Sequence, residues 1–436
     1  MKISIIGTGY VGLVSGVGLA KHGHEVICVD VDKEIVDSIN RADPPIYEEG
    51  LEELLNEVVV SDRLSATTDL KNAVERTEIT FICVGTPSSE DGSIDTKSLE
   101  AASKDISKAL EYKEDYHVVV VKSTVTPGTT DGHVKPILEA NGKTVGEDIG
   151  LGMNPEFLRE GVALNDFLDP DRIVIGGWDD RSKEKIEEVY ESFEVPKLTT
   201  DIRTAEMIKY ASNALLATKI SFANEMSRIC EEVGIDVYDV MDGVGLDHRV
   251  KRDFLNAGPG FGGSCFPKDV KAIKDLATEK GIKPELLESV LSINNQQPIH
   301  TVDILEKKLG SLKGKKISVL GLTFKGGTDD VRETRALPIV KRLLEKGAEV
   351  TGYDPKGMDN FAELIDGVNY SDSIEEALKD ADGCIIQNDW EEFGRLDREA
   401  FEIMKNKVVL DGRRVLDEEK LGDDVTYVTI GKGLVD

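Results

Sequence analysis

The chain opens on a pattern it later repeats: a short apolar run, a glycine-rich turn, a helical stretch, and a second apolar run closed by an acid. Residues 3–6 form the first run, and Gly7-Thr8-Gly9-Tyr10-Val11-Gly12 forms the turn. A helical pattern continues to about Lys21, and Glu25-Val26-Ile27-Cys28-Val29 then ends in Asp30. Further apolar runs stand at Thr80–Val84 and Val118–Val121, with helical patterns between them. Such alternation predicts a parallel sheet covered by helices on both faces, since continuous apolar strands must be buried on both sides.

From about Thr200 the period changes. Arg203-Thr204-Ala205-Glu206-Met207-Ile208-Lys209-Tyr210-Ala211-Ser212-Asn213 continues as one helical pattern through Phe222 and Met226 to Cys230, and Gly234 closes it. Apolar residues cover much of its circumference, which predicts burial on several sides. After Gly310 the alternation restarts. Lys315-Lys316-Ile317-Ser318-Val319-Leu320-Gly321 reads as another first strand, and Glu349-Val350-Thr351-Gly352-Tyr353-Asp354 echoes Glu25–Asp30. This half lacks the full GxGxxG and reads as a Rossmann-like unit rebuilt for a different ligand. The predicted fold class is therefore α/β, with two Rossmann-like parallel-sheet domains joined by a long central helix. The boundaries fall at 1–198, 199–300 and 301–436.

Composition narrows the partners. The chain has 436 residues, 40% hydrophobic and 31% charged, as in a water-soluble globular protein, and no run long enough to span a membrane. The apolar run behind Met1-Lys2 is too short for a signal peptide and reads better as a strand entering a turn. Five scattered cysteines without a CxxC pair fit a reducing compartment, the cytoplasm by default. A net charge of −30 argues against nucleic acid and anionic membranes as partners. It also requires any site for an anionic substrate to gather cations locally. The acids read either as a solubilising surface or as an adaptation to salt.

Several stretches carry chemistry. The glycines of Gly7, Gly9 and Gly12 let a backbone approach a pyrophosphate at a helix N-terminus, and Asp30 on the second strand would accept from a ribose and repel a 2′-phosphate. NAD is the predicted cofactor over NADP; FAD is the rival. Cys265 lies in Gly258-Pro259-Gly260-Phe261-Gly262-Gly263-Ser264-Cys265-Phe266-Pro267-Lys268-Asp269. A lone cysteine is commonly a small buried hydrophobe. Four glycines in six positions instead suggest backbone packed against a ligand, and Lys268 with a helix starting near Pro267 would favour the thiolate. Lys209 and Asn213, four apart on a helix, share a face and read as an oxyanion donor pair or as a surface lysine with a neighbour. Asn154-Pro155-Glu156-Phe157-Leu158-Arg159-Glu160-Gly161 is an irregular stretch holding acids and an arginine. Six scattered histidines without HExxH give no case for a metal.

Together these motifs resemble the UDP-glucose/GDP-mannose dehydrogenase family nearly end to end. The matching pieces are Gly7–Gly12, Val84-Gly85-Thr86-Pro87, Lys122-Ser123-Thr124-Val125, Asn154–Gly161, the helix bearing Lys209 and Asn213, Gly260–Asp269, Gly321-Leu322-Thr323-Phe324-Lys325 and Asp411-Gly412-Arg413-Arg414. The resemblance implies an NAD-binding domain, a central catalytic and dimerisation domain, and a C-terminal UDP-binding domain. It implies two hydride transfers at one site, taking a sugar C6 alcohol to a carboxylate. Cys265 would carry the thiohemiacetal and thioester. Lys209 and Asn213 would stabilise oxygen charge, Asp269 and Thr124 would position water or a proton carrier, and Glu156 would be the general base. Cofactor contacts carry over to Gly9, Tyr10, Val11, Asp30, Lys33, Thr86, Thr124, Glu160, Lys268 and Arg332. Substrate contacts carry over to Phe157, Leu158, Lys209, Asn213, Arg249, Phe254, Gly262, Phe324, Lys325 and Arg413. Arg249 resembles an arginine lent to the neighbouring subunit, which implies a homodimer or larger assembly.

The run Phe254–Asp269 resembles the UDP-glucose branch of the family. The GDP-mannose branch differs before the paired glycines, and the N-acetylhexosamine branch often has histidine where Ser264 stands. Two departures fall in the nucleotide-binding domain: Gly326-Gly327 after Lys325, and Gln387-Asn388-Asp389-Trp390. A sensor that binds without turnover is the alternative from another class, and it would have no use for Cys265, Lys209 and Asp269.

Overall fold

The computed structural model describes residues 1–89 and 92–433. It divides into two compact units, Met1–Ser212 and Asn213–Asp436.

The first unit is built on an eight-stranded sheet: β1 (Lys2–Ile6), β2 (Glu25–Val29), β3 (Leu64–Thr67), β4 (Ile79–Ile82), β5 (His117–Val121), β6 (Ile149–Met153), β7 (Ile173–Gly177) and β8 (Lys197–Thr200). The order is β3-β2-β1-β4-β5-β6-β7-β8, parallel except between β6 and β7. Each central strand feeds two cores, as a period of two requires. Val118 and Val120 of β5 join Ile3, Ile5 and Phe81 on one face, and Val119 and Val121 join Ile82, Leu99 and Ile106 on the other. The strand order reverses between β1 and β4, which opens a crevice at their carboxyl ends. The Gly7–Gly12 turn leaves β1 there, and Cys83 to Pro87 follow β4.

The second unit carries a six-stranded, all-parallel sheet: β9 (Lys316–Leu320), β10 (Glu349–Tyr353), β11 (Val368–Tyr370), β12 (Gly383–Ile386), β13 (Val408–Asp411) and β14 (Thr426–Thr429), in the order β11-β10-β9-β12-β13-β14. Its reversal lies between β9 and β12, where Gly321–Lys325 and Gln387–Trp390 emerge. The same unit holds helices Phe266–Glu279 and Glu285–Leu309, with Ala217, Phe261, Val270 and Val290 packed among them.

One helix runs unbroken over Ile202–Val233 and stops at Gly234, whose φ of +75° provides the left-handed residue that ends many helices. Burial on several sides was expected, and the structure departs from this on one face. Leu215, Phe222, Ile229 and Val233 are 62%, 44%, 52% and 61% exposed. The first three recur every seven residues, so they fall on one stripe along the helix.

Candidate active site

In the first unit, Gly7 leaves β1 with a φ of +91°, and a Cβ at Gly12 would lie 1.9 Å from the Gly7 carbonyl oxygen. Only glycine permits that closeness. Gly9 precedes the helix Tyr10–Lys21 without any side-chain cap, and a Cβ there would meet nothing within 4 Å. The uncapped N–H groups and the open space above them fit a pyrophosphate. Asp30 follows β2. Its Oδ2 accepts from the Thr8 N–H at 2.9 Å and from the Thr8 hydroxyl at 2.6 Å, and its Oδ1 accepts from Asp32 N–H. Burial raises its pKa, but the Thr8 and Asp32 hydrogen bonds outweigh burial and hold it below the usual carboxylate range. Thr86 donates to the carbonyl of Thr124 at 2.8 Å, tying the segments after β4 and β5 together. Lys33, four residues past the end of β2, is exposed and pairs with Asp37.

The segment after β6 carries the second cluster. Glu156 Oε1 accepts from Lys209 Nζ at 2.8 Å, and the two side chains are 7% and 3% exposed. The other carboxylate oxygen accepts from Leu158 N–H at 2.7 Å. Burial raises the Glu156 pKa, but the Lys209 charge and hydrogen bond, the Leu158 N–H and the Lys122 charge together bring it below the ordinary value. Phe157 is held between Arg172, 4.0 Å from its ring centre, and Lys209, at 5.5 Å. Gly161 N–H donates to the Tyr10 hydroxyl and to Glu48, so the end of this loop is fastened back to the glycine-turn helix.

In the second unit, Cys265 occupies the position just before the helix Phe266–Glu279, with Pro267 in its first turn. Its Sγ is 3.6 Å from the Ser264 hydroxyl. Asp269, one turn on and 1% exposed, accepts from Asn213 Nδ2 at 2.6 Å and from Lys268 Nζ at 2.7 Å. Lys268 was expected beside the thiol, and the structure engages its ammonium with Asp269. Close packing accounts for the glycines ahead of Cys265. A Cβ at Gly262 would come 2.4 Å from the Glu333 carbonyl oxygen, and one at Gly263 would come 2.8 Å from the Phe324 ring. Arg413 donates to the carbonyls of Gln387 and Gly260, both at 3.0 Å. Lys325 lies 5.7 Å from the Phe324 ring centre, and Arg332 pairs with Asp330. Phe254, at φ +63°, packs edge-on against Phe266. Arg249 is on the surface beside Asp247.

The structure thus gathers Glu156, Lys209, Phe157 and Leu158 in one unit and Asn213, Asp269, Lys268 and Cys265 in the other. Lys209 and Asn213 stand on successive turns of the same helix. Two buried groups had no role in the sequence reading. Arg335, 5% exposed, hydrogen-bonds to the Glu333 carbonyl and carboxylate. Asn294 clamps the backbone of Phe261 in both directions, at 2.7 and 3.0 Å.

Three family models match along the chain. The NAD binding domain of the UDP-glucose/GDP-mannose dehydrogenase family covers residues 1–194, its central domain 203–296 and its UDP binding domain 318–418. The chain belongs to this family. It is similar to the UDP-glucose 6-dehydrogenase AglM of Haloferax volcanii, at 45% identity over 95% of this chain and 97% of the relative. It also matches TuaD of Bacillus subtilis, another UDP-glucose 6-dehydrogenase, at 42% over 100% and 94%. Among solved structures, a UDP-glucose dehydrogenase from the archaeon Pyrobaculum islandicum superposes with a TM-score of 0.92 at 42% identity, covering 99% of this chain and 98% of that one. As a member of the UDP-glucose/GDP-mannose dehydrogenase family, the protein is an oxidoreductase with NAD as cofactor and a domain for a UDP-sugar. Among the described residues, no helix is long and apolar enough to cross a membrane.

Proposed function

We propose that the protein oxidises UDP-glucose to UDP-glucuronate, with Cys265 carrying the sugar between two oxidations. The observation that carries this reading is the pair of buried hydrogen-bonded couples, Lys209–Glu156 and Asn213–Asp269, contributed by successive turns of one helix. NAD, one molecule for each oxidation, supplies the hydride acceptor. Gly7, Gly9, Tyr10, Val11, Gly12, Asp30, Thr86, Thr124, Glu160 and Arg332 are its assigned contacts, with Lys33 at the edge.

Lys209 and Asn213 donate to the substrate oxygen on which negative charge develops. The alcohol loses a hydride and a proton and becomes an aldehyde. The Cys265 thiol adds to the aldehyde carbon, and the resulting thiohemiacetal loses a second hydride and a proton to become a thioester. Glu156 takes a proton from water as the water oxygen bonds to the thioester carbon; the carbon–sulfur bond then breaks, and the acid and the thiol are released. Asp269 and Thr124 position the water and the proton carriers. Arg413 and Lys325 meet the substrate's phosphate charge in this acidic chain. Phe157, Leu158, Phe254, Gly262 and Phe324 shape the remaining contacts.

We infer a homodimer built on the exposed stripe of Leu215, Phe222, Ile229 and Val233. Its seven-residue spacing suits pairing with a second copy, and we assign Arg249, exposed beside Asp247, to the partner's site. Five free cysteines support a reducing, cytoplasmic setting. A panel of nucleotide sugars assayed for NADH yield tests the reading. UDP-glucose should give two NADH per molecule consumed. A yield of one with released aldehyde, or faster turnover of GDP-mannose, would overturn it.

A further inference from the structure

Lys122, in the first residue after β5, is 4% exposed. Its ammonium donates to Asn154 Oδ1 at 2.8 Å. The same amide oxygen accepts from the Tyr190 hydroxyl at 2.5 Å, and Asn154 Nδ2 donates to the Val174 carbonyl at 2.8 Å. Asn154 is therefore immobilised from three sides, two residues before Glu156. A cavity of about 50 Å³, large enough for a water molecule, is lined by Lys122, Asn154, Glu156 and Tyr190, and by Asp166 and Arg172 at its charged wall.

One carboxylate here faces two buried ammonium groups. Glu156 forms its ion pair with Lys209, and Lys122 supports that carboxylate through space. The ionisable groups around Lys122 come from every neighbouring segment: Cys83 after β4, Glu156 after β6, Tyr190 after the helix Asp180–Val189, and Lys209 on the long helix. Burying a charge without a close counter-ion is costly, and such groups cluster where chemistry needs them.

We propose that Lys122 is a positioning residue for the hydrolytic step: anchored on Asn154, its charge keeps Glu156 ionised and ready to accept a proton from water. The proposal rests on the assignment of Glu156 as general base. Burial, with the like charge of Lys209, pushes the Lys122 pKa down to about 8, so the ammonium persists at neutral pH. When Glu156 takes the proton from water it becomes neutral. The hydroxide oxygen bonds to the thioester carbon, and sulfur leaves with the C–S electron pair. Lys122 takes no part in bond making.

The test follows breakdown of the Cys265 thioester after a single turnover with UDP-glucose and NAD, between pH 5 and 9. Lys122→Met keeps the bulk and removes the charge; Lys122→Arg keeps the charge; Glu156→Gln removes the base. Lys122→Met should move the acid limb of the breakdown rate upward by about one pH unit, a roughly tenfold slower rate on that limb, while Lys122→Arg leaves the limb in place. An unmoved limb in Lys122→Met, or an equal shift in Lys122→Arg, overturns the proposal and leaves Glu156 as base. Unimpaired breakdown in Glu156→Gln overturns the base assignment itself, and the proposal with it. If Lys122→Met does not fold, Lys122→Gln supplies the uncharged arm and should show the same shift.

Discussion

Asp354 gives the sharpest prediction about the second sheet. It ends β10 as Asp30 ends β2, yet it is fully buried and its carboxylate is saturated. Oδ2 accepts from Leu322 N–H at 2.8 Å, Thr323 N–H at 3.1 Å and Trp390 Nε1 at 3.1 Å, with the Thr323 hydroxyl at 2.9 Å. Oδ1 accepts from Lys356 and Gly357 N–H at 3.0 and 2.8 Å. Asp354→Asn preserves the shape but turns an NH₂ toward at least two of these donors. Each stranded buried donor costs about 1–3 kcal/mol, so two should destabilise this unit by about 2–6 kcal/mol, on the order of 10 °C in Tm. The loop it holds carries Phe324 and Lys325, so UDP affinity should fall, while NAD affinity, most of whose assigned contacts lie in the other unit, should change much less. Thermal unfolding combined with separate titrations of UDP and NAD reads all three quantities. An Asp354→Asn protein with native Tm and native UDP affinity would refute the reasoning.

Three other outcomes follow from the geometry. Asp30→Ala removes the acceptor for both Thr8 groups and should raise the KM for NAD while narrowing its preference over NADP, read from initial rates with each cofactor. His117 is buried with Nδ1 on the Thr77 carbonyl and Nε2 on Thr80, and burial with the Lys113 charge pushes its pKa down to about 3. A base whose folded pKa is depressed contributes stability that is full above pH 6.5 and lost as pH falls toward 3. The loss is about 2 kcal/mol by pH 5, and His117→Asn should flatten the difference in Tm between pH 7 and pH 5. Phe222→Glu on the exposed stripe should convert the proposed dimer to monomer in analytical ultracentrifugation; an unchanged sedimentation coefficient would overturn this interface.

What the sequence revealed was local. The Gly7–Gly12 turn and the acid at Asp30 carry their meaning within a few residues, because the crowding of Gly12 against the Gly7 carbonyl is local; the glycines before Cys265 were legible as a cluster, but what crowds them, Glu333 and Phe324, lies far along the chain. The echo of Glu25–Asp30 in Glu349–Asp354 was also legible, including its conversion. The structure adds the difference: Asp354 is fully buried and saturated by donors from its own unit, whereas Asp30 is only partly buried and accepts from Thr8 and Asp32. Lys122, Asn154 and Tyr190 were not legible as a group. They stand 32 and 36 residues apart along the chain; the pairing of β5 with β6 brings Lys122 to Asn154, and the end of the helix Asp180–Val189 brings Tyr190. Apolar periodicity predicts burial of the long helix on several sides but does not say whether a neighbour comes from the same chain or from another, and in the single chain the stripe of Leu215, Phe222 and Ile229 is exposed.

The central claim is that Cys265 becomes acylated by the sugar. Its most direct measurement is the intact mass of a Glu156→Gln protein quenched after incubation with UDP-glucose and NAD. The expected result is an added mass of one UDP-glucuronyl group, mapped to Cys265 and absent in the double variant with Cys265→Ser. Free aldehyde in solution with unmodified protein, or full turnover in Cys265→Ser alone, would contradict it.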